Sequence, residues 1–453
     1  MKAQATAGDL GGKSPTLHVV EIPCGTNRTQ WFRPLGVSLF LLLPIALFAL
    51  LLLTPPVREF FRTMGLRWAY VFATAFTLSF SLTPLAAGLA RRLGILDLPD
   101  ARKLHAQATP LLGGAAIFVG FVSALAANGI LAPELIAILS ASMILFIVGV
   151  FDDWREVPAG LKLVIQFICT AMVMTSGVVL RVLPEAWGAW SGLGNLLLTV
   201  VWIIGITNAM NFFDGMDGLA AGLGGIIAFL LAVVAFQTDQ PFLGWMALAV
   251  MGSCLGFLPY NFKRKSAAFI FLGDAGSTVV GFVLACIAVY GDWAEGRPLV
   301  ALVSPLLIFW ILIFDMVHIT VDRIVTGKVR NFREWIEFVG KDHLHHRLAG
   351  ALGCRRKSVL FIYLMALGLG MSALMLRDAG TLDAILLILQ ASIMVGLISI
   401  LEHRGRKVTA VAAPPAVWVS AAAADEGEVL SSGHSEWEQF SPNHQGKANL
   451  SGF

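Results

Sequence analysis

The chain has 453 residues, of which 57% are hydrophobic and 13% are charged. Soluble globular proteins carry roughly 25% charged residues, so the composition argues against a soluble fold and predicts an all-α, polytopic integral membrane protein. The formal net charge of +3 is too small to indicate a nucleic-acid partner, and the five cysteines are odd in number and lack metal-ligand spacing.

The chain opens with a polar segment, residues 1–34, which we expect to be a flexible tail. Apolar runs long enough to cross a bilayer then recur and predict about 11 to 12 transmembrane helices. An extra N-terminal helix with its loop occupies residues 35–66, the membrane-embedded domain occupies residues 67–401, and a disordered cytoplasmic tail follows at 402–453. The predicted spans are Leu35–Leu53, Trp68–Ala90, Leu111–Ala127, Leu135–Phe151, Leu161–Leu180, Leu196–Asn211, Leu219–Phe236, Trp245–Pro259, Phe269–Tyr290, Leu299–Val321, Val359–Leu376 and Leu382–Leu401.

Lysine and arginine determine the predicted orientation of these spans. Most of them fall in loops that share one side of the membrane, which the positive-inside rule makes the cytoplasmic side. These loops are residues 91–110, 152–160, 212–218, 260–268 and 322–358. A cluster of Arg58, Arg62 and Arg67 in the first outer loop, Thr54–Arg67, runs against the rule.

The segment 208–218 is polar between two apolar runs. Four of its polar residues recur at every third position: Asn208, Asn211, Asp214 and Asp217. This spacing gathers them on one side of a helix or helical turn, and Gly215 and Gly218 indicate that the helix ends there. A polar cap on the helix end is one interpretation, but a cap needs one such residue rather than four. The pattern therefore favours a site for a cation or a polar ligand at a membrane surface.

Asp152 and Asp153 end the fourth predicted span. Adjacent residues on a helix point about 100° apart, so they need not contact one ligand together. A helix C-terminus disfavours anions, so the pair is either a charged helix stop or part of a site. Arg155 and Lys162 are near enough in sequence to be counter-charges in both cases.

The segment Phe271–Ser277 opens the ninth predicted span. Asp274 falls in the first helical turn, where a carboxylate complements the helix dipole, so helix capping is one explanation. Gly273 and Gly276 would let the phosphates of a ligand approach the backbone at this helix N-terminus. Alone, the glycine pair is a weak signal.

Three histidines occur within four residues in the segment Asp342-His343-Leu344-His345-His346-Arg347. Zinc is one reading, but neighbouring histidines rarely supply several ligands of a tetrahedral site. Histidine beside arginine suits an oxyanion better. The segment Arg102-Lys103-Leu104-His105, followed by Pro110-Leu111-Leu112-Gly113-Gly114, adds more donors. A solvated basic loop and ordinary positive-inside charge are the respective alternatives.

With this topology, nearly every unusual polar residue lies on the cytoplasmic side. Carboxylates hold Mg²⁺ through oxygen ligands, and Mg²⁺ in turn holds phosphates. Lysine, arginine and histidine bind the remaining phosphate oxygens. Apolar helices beside them could hold a lipid tail. The combination suggests phosphoryl transfer between a soluble donor and a lipid acceptor.

Five of these motifs together resemble the polyprenyl-phosphate N-acetylhexosamine-1-phosphate transferases, in the family's order and over about residues 93–401. They are Arg102–Gly114, Asp152-Asp153, Asn208–Gly222, Phe271–Ser277 and His343–His346. The His-Leu-His-His pattern is most like the branch that transfers N-acetylglucosamine-1-phosphate to undecaprenyl phosphate. The resemblance implies the transfer of N-acetylhexosamine-1-phosphate from a UDP-sugar, with release of UMP, as the first step of a cell-envelope polysaccharide such as O-antigen.

The resemblance also implies roles for individual residues. Catalytic roles fall to Asp152, Asp153, Asp274, His345 and His346. Ligands of Mg²⁺, with Mn²⁺ as the alternative ion, are Asp274, Asn211, Asp152 and Asp153. Nucleotide binding falls to Phe271, Asp217, Asp214 and Asn208. Phosphate and sugar binding falls to Lys162, His343, Arg347, Arg102 and Lys103. The expected location is the bacterial inner membrane with the active site facing the cytoplasm, and the peptidoglycan branch provides a precedent for a homodimer.

Three alternatives stay open at this point. The first is a polytopic transporter, for which Asp315 and His318 in the tenth span are the best candidates for a buried pair. The second is the peptidoglycan branch, which transfers phospho-N-acetylmuramoyl-pentapeptide. The third is an inactive membrane scaffold, against which the full set of acidic residues argues.

Overall fold

The structure, a computed structural model, describes residues 39–98, 108–130, 132–263, 267–293, 298–338, 340, 342–376 and 380–412. Within these residues the chain is all-α, as predicted, apart from one short antiparallel ribbon of β1 (Leu96–Asp97) and β2 (Thr109–Pro110). The described residues up to Lys407 belong to one compact unit. A second unit begins at Val408, and the structure describes only its first residues, at the end of a helix.

The helices before the central polar segment are α1 (Leu39–Leu52), α2 (Pro55–Thr63), α3 (Arg67–Leu93), α4 (Gly113–Ala127), α5 (Pro133–Trp154), α6 (Ala159–Thr175) and α7 (Ala189–Phe212), with a 3₁₀ turn at Glu185–Trp187. The helices after it are α8 (Leu219–Gln237), α9 (Pro241–Asn261), α10 (Gly273–Tyr290), α11 (Pro298–Ile308), α12 (Trp310–Val325), α13 (Phe332–Glu337), α14 (Leu344–Leu352), α15 (Arg355–Leu374) and α16 (Thr381–Ala412).

Among the described residues, eight helices are long and apolar enough to cross a membrane, or up to ten if each of two bent helix pairs is one span. The shorter apolar helices α4 and α6 occupy the positions of two further predicted spans. Each predicted span therefore coincides with a helix or a bent pair, and the chain is a multi-pass membrane protein. Exposed leucine and isoleucine side chains on α16 are typical of a surface that faces lipid.

Three predicted segments differ from the structure, and the first is the expected disordered tail 402–453, of which residues 402–412 continue the helix α16. The expected loop Thr54–Arg67 contains α2, which is bent by 74° from α1. Its start at Pro55-Pro56 is a helix signal, because proline is well tolerated in the first turn. The expected continuous span Leu299–Val321 is the bent pair α11 and α12, which meet at 79°. Hydropathy reports that a segment is apolar, but it does not report the direction of the helix axis.

Glycine contacts place the start of α10 in the centre of the bundle. A Cβ at Gly149 of α5 would overlap the backbone of Ala275, and a Cβ at Gly114 of α4 would overlap the backbone of Gly276. These small residues let the three helix backbones approach closely. The backbone N–H of Gly113 also donates to the carbonyl of Phe271 at 3.0 Å. The first turn of α10 is thereby fixed against the end of α5 and the start of α4.

Candidate active site

The first turn of α10 is where the acidic motifs meet. The carboxylate of Asp153 accepts hydrogen bonds from the backbone N–H groups of Asp274 at 2.8 Å and Ala275 at 3.3 Å. These donors have no partner within the helix, so Asp153 satisfies two of them and complements the helix dipole. Both oxygens of Asp153 are engaged, and its direct role in the structure is to hold α10.

Asp152 points in a different direction from Asp153, as expected for neighbours on a helix. One oxygen accepts from the backbone N–H of Val157 at 2.7 Å, and the other accepts from Lys162 Nζ at 2.6 Å. The same ammonium group lies 3.2 Å from Oδ2 of Asp274. Lys162 on α6 therefore bridges carboxylates from α5 and α10.

Asn211, near the end of α7, orients Asp274 from the other side. Its Nδ2 donates to Oδ1 of Asp274 at 3.0 Å and to Oγ of Ser277 at 2.9 Å. Residues from four helices, α5, α6, α7 and α10, thus converge on the Asp274 carboxylate. The motifs in the sequence predicted that Asp152, Lys162, Asn211 and Asp274 belong to one site. They assigned no role to Ser277.

Asn208 lies one turn before Asn211 and has a separate partner. Its amide pairs with the side-chain amide of Gln166 on α6, with Nδ2 donating to Oε1 at 2.6 Å. Gln166 is buried and was not singled out in the sequence. Its position four residues after Lys162, in an apolar helix, is the signal that could have identified it, because such residues share a helix face.

The loop after α7 carries two of the predicted nucleotide-binding residues. Burial raises the pKa of Asp214 well above its ordinary value, and the charges of Asp274 and Asp153 raise it further. Asp217 accepts a hydrogen bond from the backbone N–H of Ala268 at 3.1 Å. Asp217 thereby braces the segment that leads to Phe271. The Phe271 side chain is partly exposed at this end of the bundle.

The histidine segment is held by α12. The carboxylate of Asp315 is fully buried and lies 2.8 Å from Nδ1 of His343. Its second oxygen accepts from the backbone N–H of Leu344 at 2.7 Å. Asp315 therefore fixes both the ring of His343 and the first turn of α14. In the sequence Asp315 stood out only as a transporter candidate.

Two further side chains of α12 contact the same segment. Arg323 makes a two-point ion pair with Asp342, at 2.9 and 2.8 Å. Burial alone would raise the pKa of Asp342, but the hydrogen bonds and charge of Arg323 lower it below its ordinary value. His318 lies 3.1 Å from Nη1 of Arg347. Asp315 and His318 thus each bind the histidine segment. Sequence reasoning missed Arg323, because its partner lies beyond the intervening helix α13.

His345 is buried beneath the loop that joins α7 to α8. Its ring packs on Phe213 with a centroid separation of 5.5 Å, and a Cβ at Gly215 would lie 2.6 Å from its Nε2. Burial, with the neighbouring His346 and His343, lowers the pKa of His345 well below its ordinary value. His345 is therefore neutral near pH 7 and supports the loop, whereas His346 is partly exposed. The predicted residues Arg102 and Lys103 lie outside the described residues.

The donor set of this site fits a hard divalent cation. Asp152 and Asp274 bring carboxylate oxygens, which are hard donors, from two helices close together, and the ammonium group of Lys162 forms ion pairs with both. The described residues contain no group of three or more His, Cys, Asp or Glu side chains arranged to hold a metal ion. A cation that takes one or two protein carboxylates and completes its shell with substrate phosphates and water suits such a pair.

Comparisons with known proteins show the family of the chain. Residues 135–292, which include Asp152, Lys162, Asn211 and Asp274, match the model for glycosyl transferase family 4. A probable undecaprenyl-phosphate N-acetylglucosaminyl 1-phosphate transferase of Bacillus subtilis is 34% identical over 308 residues, which cover 66% of this chain and 82% of the relative.

Two more distant relatives carry related names. A decaprenyl-phosphate N-acetylglucosaminephosphotransferase of Mycobacterium tuberculosis is 32% identical over 65% of this chain and 79% of its own length. An undecaprenyl-phosphate alpha-N-acetylglucosaminyl 1-phosphate transferase of Escherichia coli is 26% identical over 62% of this chain and 76% of its own length.

The fold and the site therefore define a multi-pass membrane transferase. The chain belongs to glycosyl transferase family 4, and its relatives lie in the branch named for N-acetylglucosaminyl 1-phosphate transfer, which confirms the prediction from the motifs.

Proposed function

We propose that the protein transfers N-acetylglucosamine-1-phosphate from UDP-N-acetylglucosamine to undecaprenyl phosphate and releases UMP. The observation that carries the proposal is the contact of Lys162 with both Asp152 and Asp274, within the segment that matches the family. The names of the relatives supply the donor sugar and the lipid acceptor.

The diphosphate of the donor binds at the Asp152–Lys162–Asp274 cluster in this proposal. Lys162 contacts a phosphate oxygen, and Asn211 keeps Asp274 in its orientation through the 3.0 Å hydrogen bond. Mg²⁺, or Mn²⁺ as the alternative, would be held by Asp152 and Asp274 and would neutralise charge on the diphosphate. Asp153 acts indirectly by holding the first turn of α10.

The uridine occupies the neighbouring surface formed by Phe271 and the loop after α7. The ring of Phe271 stacks on uracil, and Asp217 supports the segment that carries this ring. Asp214 lies behind the diphosphate, where burial raises its pKa and the charges of Asp274 and Asp153 raise it further. Asn208 stabilises the α6–α7 contact through Gln166, which keeps Lys162 aligned.

In this proposal the histidine segment helps to bind the lipid phosphate or the sugar. Arg347 and His346 supply donors, while His343 is oriented by Asp315 and His345 supports the loop above it. A phosphate monoester has a second pKa of about 6, so the lipid phosphate is already largely dianionic at pH 7. It therefore attacks the β-phosphorus directly, in line with the leaving UMP.

The proposal includes a location. The loops rich in lysine and arginine face the cytoplasm of a bacterium, where the UDP-sugar is dissolved, and the chain lies in the inner membrane. The product lipid is the first intermediate of a cell-envelope polysaccharide. The active unit is either a monomer or a homodimer, and the sites proposed above lie within one chain.

UMP release by the purified full-length protein tests the function. Undecaprenyl phosphate and Mg²⁺ are supplied with UDP-N-acetylglucosamine, UDP-N-acetylgalactosamine or UDP-glucose. UDP-N-acetylglucosamine should give the highest rate, and Asp274→Asn, which removes a charge without changing the side chain's shape, should give almost none. Asp322→Asn, an exposed site on α12, is the matched control. Release without the lipid acceptor, or an unaffected Asp274→Asn variant, would count against the proposal.

A further inference from the structure

The arginine cluster that violates the positive-inside rule lines a cavity of its own. Arg58, Arg62 and Arg67 surround a space of about 370 Å³ together with Tyr70 and Asn128. The cavity lies at the C-terminal end of α4, whereas the candidate active site adjoins the N-terminal end of the same helix. It therefore opens at the opposite end of the bundle and takes no part in the proposed transfer.

The positive charge of the three arginines exceeds the negative charge of their partners among the described residues. Arg58 Nη1 donates to the carbonyl of Ala127 at 3.1 Å, and Arg67 Nη2 donates to the carbonyl of Asn128 at 2.6 Å. These bonds occupy one N–H donor of each guanidinium group, and each group has five such donors. Among the described residues the carboxylate paired with the cluster is Glu59, 3.7 Å from Arg62, and both side chains are more than half exposed. Such a surface pair contributes little.

The helix α2 gives the cavity the surroundings of a lipid headgroup. It is bent by 74° from α1, so it runs across the direction of the apolar helix before it. Arg58 and Arg62 share one face of α2, since residues four apart share a helix face, and the exposed Phe60 lies on the roughly opposite face, two residues from each. A helix with an apolar face and a basic face is typical of the membrane–water interface.

Aromatic side chains near the cavity also indicate that it lies at the depth of the membrane–water interface. The guanidinium of Arg67 lies over the ring of Trp245, 4.0 Å from its centre, and Trp68 is half exposed beside it. Tryptophan is enriched at the membrane–water interface, where phosphates of the headgroups lie. A free anion would not account for the exposed apolar face of α2, whereas a lipid in the bilayer, with a phosphate and acyl chains, fits beside an amphipathic helix at the interface.

We propose that this cavity binds the phosphate of an anionic phospholipid, in the leaflet opposite to the candidate active site. The arginines bind the phosphate oxygens, and Phe61 of α2, which lines the same cavity, contacts the acyl chains. The residues that line the cavity lie outside residues 135–292, the segment that matches the family. A bound anionic lipid would also account for three arginines where the positive-inside rule disfavours them.

The test measures lipid retention by the full-length protein. The protein is purified in a neutral detergent, mixed with equal amounts of phosphatidylglycerol and phosphatidylcholine, and its bound lipids are counted by native mass spectrometry. The wild type should retain phosphatidylglycerol in preference. Arg58→Gln with Arg62→Gln should weaken retention by roughly 25-fold, because each arginine near the surface favours an anionic lipid about fivefold. Arg67 is left in place, since its guanidinium also packs on the ring of Trp245.

Two further variants separate charge from folding. Arg58→Lys with Arg62→Lys keeps both charges and should keep most of the preference for phosphatidylglycerol. Arg92→Gln with Lys357→Gln removes two exposed charges elsewhere on the protein and should leave retention at the wild-type level. Equal retention by the wild type and the Arg58→Gln/Arg62→Gln variant overturns the proposal. Equal thermal stabilisation by inorganic phosphate alone, lost in the same variant, also overturns it, because the ligand would then be a free anion.

Discussion

Replacing Asp315 by Asn isolates the contribution of α12 to the histidine segment. The buried carboxylate accepts hydrogen bonds from His343 and from the backbone N–H of Leu344, at 2.8 and 2.7 Å. An asparagine can accept only one of them and presents its own N–H group to the other donor. Loss of one buried bond to a charged group costs about 1.5–3 kcal/mol. That cost would lower the population of the ordered segment roughly 10- to 150-fold relative to displaced arrangements.

We therefore expect kcat/KM for UMP release to fall, by no more than about 150-fold, because the rate follows the fraction of protein in which the segment is ordered. Asp322→Asn makes the same chemical change on the same helix, but the partner of Asp322 is the exposed Lys328 at 3.0 Å. Surface pairs are worth about 0–1 kcal/mol, so this control should stay close to the wild type. Thermal unfolding in detergent, monitored in parallel, separates loss of activity from loss of the fold.

A double-mutant cycle distinguishes positioning from a general structural effect. His343→Ala removes the ring that Asp315 orients, so adding Asp315→Asn should cause little further loss of activity if the two act together. Multiplicative losses in the double variant, or wild-type kcat/KM in Asp315→Asn, would refute the reasoning.

Three other predictions follow from the site. Gly149→Ala should destabilise the protein by about 1–3 kcal/mol, since its Cβ would overlap the backbone of Ala275, whereas Gly160→Ala, where no atom lies within 4 Å, should not; equal melting temperatures would contradict the packing. Because the pKa of Asp214 is raised in the folded protein, this group favours folding at acidic pH, and that contribution is lost as the pH rises above 3.8, its ordinary pKa. The metal-free protein should therefore become less stable as the pH rises, and Asp214→Asn should reduce this pH dependence in thermal scans. An unchanged slope in the variant would contradict the prediction. Direct attack by the lipid phosphate predicts inversion at the β-phosphorus of a chirally labelled donor, and retention would instead indicate a covalent intermediate.

The sequence was sufficient to predict the spans and the convergence of the acidic motifs. Long apolar runs identify membrane helices by composition alone. The 100° separation of neighbours on a helix correctly suggested that Asp152 and Asp153 serve different partners: Lys162 in one case and the N–H groups of α10 in the other. The order of the motifs, through the resemblance to the family, then implied that Asp274 and Asn211 belong to the same site.

The contribution of α12 was not predictable in the same way. Asp315 is a single carboxylate inside an apolar run, so it has no spacing pattern, and its partner His343 is 28 residues away. The bend at Phe309 was also hidden, because a bent pair and a straight span have the same hydropathy. An ionisable residue within a membrane segment is a functional signal by default. For Asp315 that signal was present in the sequence, but it was assigned to a transporter.

The three contacts from α12 have a mechanical meaning. Asp315, His318 and Arg323 fasten the histidine segment to α12, which meets α11 at a 79° bend, whereas the carboxylates are fastened to α5 and α10. The two halves of the proposed site are thus held by different helices of one compact unit. A change in the angle at Phe309 would carry all three histidines together and alter the gap into which the donor and the lipid must fit.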